Sequence, residues 1–107
     1  MNDTAAISAK VDLLARSFAG RLPLRYEKMH AALAQWQADG SDDAGLIELY
    51  RLLHSLAGAA GSFGYAALGA AAAVLEQRVK ALLESERRDQ RHINDIGLAL
   101  AALQHIA

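Results

Sequence analysis

The chain has no cysteine, which excludes disulfides and thiolate chemistry and leaves a reducing compartment fully acceptable. An excess of charge of one sign is missing too. The formal net charge is −1, too small to draw the protein to nucleic acid or to an anionic membrane, so neither is expected as a partner. No apolar run approaches the roughly 20 residues that span a bilayer. The N-terminal MNDTAAISAKVD lacks a basic start followed by an apolar stretch, so no signal peptide is read and a cytoplasmic location is expected. Neither a G-x-x-x-x-G-K-S/T loop nor H-E-x-x-H occurs, which leaves an autonomous P-loop kinase without support.

What is present is a core-forming composition. Hydrophobic residues make up 53% and proline occurs once, which excludes a disordered chain. At 107 residues the chain suits one domain, 1–107, with little space for a deep substrate cleft. The periodicity predicts five helical segments and no strand. The first runs from about Thr4 to Ala19 on Ile7, Val11, Leu14 and Phe18, capped by Asp3 or Thr4 and ended by Gly20. Leu22-Pro23 opens a second, with Tyr26, Met29, Leu33 and Trp36 as its apolar face and DGSDD at 39–43 as its stop. Asp42 or Asp43 caps a third, carrying Leu46, Leu49, Leu53, Leu56 and Ala60. A fourth carries Leu68, Ala72, Leu75, Val79 and Leu82, and its run Ala70–Ala73 invites close approach of neighbouring helices. The charged turn ESERRD at 84–89 leads to a fifth, on Ile93, Ile96, Leu100, Leu103 and Ile106. Short connections make neighbours antiparallel. The expected fold is all-α, an up-down antiparallel four-helix bundle with an additional, smaller N-terminal helix beside it.

Within HSLAGAAGSFGY (54–65), Gly58, Gly61 and Gly64 follow a histidine. Glycine inside a helix costs roughly 1 kcal/mol relative to alanine, so this stretch needs bare backbone more than helix stability. With Leu46 at zero and about 100° per residue, Leu49, Leu52, Leu53, Leu56 and Ala60 fall between about 240° and 340°. His54 falls at about 80°, Gly58 at about 120° and Gly61 at about 60°. Ile47 and Arg51 share that side. His54 is therefore expected on the solvent face, with side-chain-free positions one and two turns later where a partner can lie against the backbone. A lone exposed histidine is ordinary, but glycines aligned with it away from the core are not.

In their order and spacing, His54-Ser55-Leu56, Gly58, Gly61, Phe63-Gly64, Leu68 and Leu75-Glu76 resemble the histidine-containing phosphotransfer (HPt) domain of bacterial two-component signalling. The likeness covers nearly the whole chain. It implies that His54 accepts a phosphoryl group from the aspartate of a receiver domain and passes it to another, or receives it from a sensor histidine kinase. It implies that Gly58 and Gly61 leave room for the receiver's loops, and that Phe63 and Gly64 form the turn with Phe63 directed into the core. In the chemotaxis-kinase branch, a glutamate at the position of Glu76 hydrogen-bonds the phosphoacceptor imidazole, and the resemblance gives Glu76 that role. No cofactor is expected on this chain, since the divalent metal would come with the receiver. A monomeric phosphoryl carrier, not an enzyme, is implied. One departure concerns charge: the family usually has lysine three residues after the histidine, and here stands Ala57. Arg51, one turn before His54, is the expected substitute.

The chemistry suits so small a chain. Imidazole is a good nitrogen nucleophile that is substantially neutral near pH 7, and phosphoryl transfer asks mainly for positioning and charge stabilisation. Docking is expected on Ile47, Tyr50, Arg51 and the Ala57–Gly61 surface. His30, His92 and His105 read as solvated surface histidines rather than as a metal or haem site. Arg87, Arg88 and Arg91 read as a solvated helix junction, since no aromatics interleave to bind nucleic acid. Two readings of function remain: a carrier using His54, and a helical module that docks on a receiver or scaffold without transferring, which Ala57 keeps open.

Overall fold

Apolar residues spaced three and four apart wind into four helices in the computed structural model, which describes residues 3–38, 42–85 and 89–106. They are α1 (Asp3–Ala38), α2 (Ala44–Ser62), α3 (Ala66–Glu84) and α4 (Gln90–Leu103), with no strand among the described residues. Pairings along the helices run in opposite directions at three of the interfaces. Phe18 meets Phe63, Arg25 meets Ser55, and Trp36 lies against Gly45, so α1 and α2 are antiparallel. Gly69 lies against Gly61 while Glu76 reaches back to His54, which makes α2 and α3 antiparallel. His30 bonds Gln104 and Leu33 lies under Gly97, closing α4 onto α1.

The N-terminal third departs from the expectation of two helices. α1 is one helix of 36 residues that runs through Gly20 and contains Pro23. Proline lacks the N–H that would bond the carbonyl of Ala19 and costs roughly 3 kcal/mol inside a helix. Packing on both sides overrides that local cost. Phe18, before the proline, is buried with its ring 5.6 Å from Phe63 and 5.4 Å from Tyr65. Tyr26 and Met29, after it, are buried on the same stripe, so a break at Pro23 would take one set out of register. Among the described residues no additional N-terminal helix packs beside the bundle. Ile7, Val11 and Leu14 are instead exposed, on a part of α1 that runs past the α2–α3 turn. At 1.5 Å per residue α1 is about 54 Å long, close to the 59 Å longest dimension of the molecule.

The remaining core follows the periodicity. Leu46, Leu49, Leu53, Leu56 and Ala60 of α2 are buried, as are Leu68, Ala72, Leu75, Val79 and Leu82 of α3 and Ile96, Leu100 and Leu103 of α4. Trp36 and Met29 complete it from α1. Close approach falls on two glycines rather than on the alanine run, of which only Ala72 is buried. A Cβ on Gly45 would lie 2.5 Å from the Ala32 carbonyl oxygen, and one on Gly69 would lie 3.2 Å from that of Ala57.

The helix ends are held locally. The Ala44 N–H donates to Asp42 Oδ1 at 2.9 Å, while Asp43 occupies the N-cap position. Asp89 caps α4 by accepting from the His92 N–H at 3.1 Å, and the His92 ring returns a bond to the Asp89 N–H. The α2–α3 turn needs its glycine, because Gly64 adopts φ +88°. The Tyr65 N–H then reaches back to the Ala60 carbonyl at 2.8 Å, satisfying a carbonyl left over at the end of α2. Phe63 at this turn is half-buried against Phe18. Residues 39–41 of the first expected turn and 86–88 of the second, including Arg87 and Arg88, lie outside the described residues.

Candidate functional site

The leucine stripe that turns one face of α2 inward turns His54 outward, and its side chain is 73% exposed. One edge of the ring is nevertheless fixed. Glu76, seven residues after Gly69 on the same face of α3, is buried, and its side chain is only 8% exposed. A carboxylate taken out of water is costly without a partner, and here the partner is His54. Nδ1 lies 2.7 Å from Oε1 and 3.3 Å from Oε2 of Glu76. A carboxylate only accepts, so Nδ1 carries the proton and donates, and in the neutral ring the lone pair lies on Nε2.

A second ring lies near the imidazole. Tyr50, one turn earlier on α2, stacks on it with ring centroids 6.4 Å apart and 18° between planes. Glu76 thus orients the ring beside Tyr50, while Nε2 takes no partner among the described residues. Beyond it, Gly58 and Gly61 face open space, since a Cβ on either would meet nothing within 4 Å. Bare backbone thus follows His54 one and two turns later on α2. Chemically, the arrangement offers an oriented, uncovered nitrogen nucleophile on a surface that a second molecule can approach closely.

The other residues singled out in the sequence take different places. Ile47 is exposed two turns before His54, and Ala57 is half-buried with its carbonyl turned to Gly69. Arg51 is exposed and lies 3.9 Å from Glu48 across one turn, a solvated pair that fixes its side chain weakly. His30 bonds Gln104 and His92 serves the α4 cap, while His105 is exposed. No group of three or more potential metal ligands occurs among the described residues.

Two features were hidden from sequence reasoning. Tyr50 reads there as a docking residue, although its spacing of four from His54 on one helix was the signal for ring contact. Arg25 had no such signal, because it comes from α1. Its guanidinium lies 5.5 Å over the Phe18 ring and donates to Ser55 Oγ at 3.2 Å, putting a cation beside the residue that follows His54.

Comparison with known proteins adds one positive result. The family model described as the Hpt domain matches residues 13–106. No curated protein and no solved structure matches the chain.

Proposed function

The chain belongs to the Hpt domain family, and on that premise we propose that His54 is its phosphoacceptor, carrying the group on Nε2 between receiver-domain aspartates or from a sensor histidine kinase. Membership implies a role in histidine phosphotransfer. The observation that carries the finer reading is the 2.7 Å bond from exposed His54 to buried Glu76, because it commits Nδ1 and leaves Nε2 to react.

In the step, the Nε2 lone pair attacks the phosphorus of an aspartyl phosphate, and the P–O bond to the aspartate carboxyl breaks. The carboxylate leaves with that electron pair, and the phosphorylated ring becomes a cation still protonated at Nδ1. Glu76 supports this change, since a carboxylate bonded to Nδ1–H gains strength as the ring becomes positive. The divalent metal of the exchange belongs to the receiver in this reading, and the protein acts as a monomeric, cytoplasmic carrier rather than as an enzyme. No described helix is long and apolar enough to cross a membrane. Docking would use the exposed face around Ile47, Tyr50, Arg51 and the bare backbone of Gly58 and Gly61.

The second reading, a module that docks without transferring, is favoured by Ala57 where the family usually has lysine. One experiment separates them. Incubation with a panel of phosphorylated receiver domains, followed by mass mapping, is expected to place acid-labile phosphate on His54 and none on His54→Gln. Tight receiver binding without label would establish the docking module; neither binding nor label would overturn both readings.

A further inference from the structure

The exposed face of α2 has two walls. On one side α3 brings Glu76 to His54; on the other α1 brings Arg25 to Ser55. Beside this second wall, a groove of about 200 Å³ lies between α1 and the α2–α3 turn, lined by Leu14, Phe18, Arg21, Arg25 and Phe63. It is smaller than the roughly 300 Å³ at which small-molecule sites begin. Its polar lining consists of arginines, both from α1. Leu14, half exposed, continues it along α1 to the exposed Val11 and Ile7. Such a shape suits a protruding protein segment better than a metabolite.

Charge says what kind of segment. Residues 13–26 contain three arginines, Arg16, Arg21 and Arg25, and no acidic residue, in a chain whose net charge is −1. The arginines are also arranged in advance. Arg25 stacks on Phe18 and is tied to Ser55, while Arg21 donates to Ser17 Oγ at 2.8 Å. Less side-chain freedom is therefore lost when a partner arrives, and the guanidinium fork matches a carboxylate. Since Ser55 adjoins His54 in the chain, one partner seated at His54 can reach the groove.

We infer that this groove extends the docking face for the phosphoryl-exchange partner and takes from it an apolar side chain flanked by a carboxylate. Arg21 and Arg25 act as specificity residues for that partner, not as catalytic residues. The inference rests on the phosphotransfer reading above, and the test keeps the two apart. Transfer to His54 is measured from each phosphorylated receiver domain of a panel, and phosphorylation of His54 by phosphoramidate serves as the partner-free reference. With the fastest receiver, Arg21→Glu and Arg25→Glu are each expected to lower the second-order transfer rate about tenfold or more. The loss should shrink at 1 M salt, where screening extends only about 3 Å. Arg25→Lys, which keeps the charge but loses the fork and the stack on Phe18, should fall between wild type and Arg25→Glu, and the phosphoramidate rate and thermal midpoint should not move in Arg21→Glu, whose side chain is exposed. Transfer within twofold of wild type in both reversals would overturn the inference while leaving the phosphotransfer reading intact. An equal fall with phosphoramidate would overturn it too, since the arginines would then act on His54 itself. Wild-type protein that takes phosphate from no receiver would overturn the phosphotransfer reading and the inference together.

Discussion

Four glycines sit where α2 and its neighbours could meet, and they divide two and two. At Gly45 and Gly69 another helix occupies the space a side chain would need. At Gly58 and Gly61 nothing occupies it, although alanine would make a better helix by about 0.5–1 kcal/mol. The first pair is explained inside the molecule: bare backbone lets helices come close. The second pair has no such internal reason, and it lies on the face that carries His54. A cost in stability that no internal contact recovers is best understood as serving contact with a second molecule.

Substitution to alanine should separate the two pairs by sign. The largest effect is expected at Gly45→Ala, because the new Cβ would lie 2.5 Å from one backbone atom and 2.7 Å from another. Backbone has to shift, and a loss of about 2–3 kcal/mol is expected. Calorimetry should show a thermal midpoint lowered by roughly 10 °C or more. Gly69→Ala is milder, since 3.2 Å contacts require only a small displacement and better helix propensity offsets part of the cost. A net loss of about 1 kcal/mol is expected in urea unfolding. Gly58→Ala should go the other way, raising stability by about 0.5–1 kcal/mol while slowing transfer from a phosphorylated receiver. A stabilised variant with undiminished transfer would remove the functional half of the comparison. Arg51→Ala should change stability least, by under about 0.5 kcal/mol, because its ion pair is exposed; its effect is expected in the transfer rate, and an unchanged rate would remove Arg51 from the site.

Much of this was legible in the sequence because one signal, helical periodicity, dominates α2, α3 and α4. The stripe from Leu46 to Ala60 fixed which way His54 points, and its exposed side chain follows from that. α1 was misread where local and tertiary signals disagree. Gly20 and Pro23 are helix-ending residues by propensity, yet Phe18 and Tyr26 are both buried on one continuous stripe. Conversely, Ile7, Val11 and Leu14 have the spacing of a buried face and are exposed, since periodicity shows that a face is apolar but not what covers it. Glu76 came into view through family resemblance rather than through pattern. Gly45 and Arg25 stayed hidden because close approach and cross-helix contacts have no local signature.

Tyr50, His54, Glu76 and Arg25 all stand on helices, and none comes from a connection. His54 is roughly 12 Å or more from either end of α2 at 1.5 Å per residue. The imidazole is thus set apart from the parts of a chain that vary most easily in length. Fraying at the ends of α2 would therefore leave the surroundings of the imidazole intact.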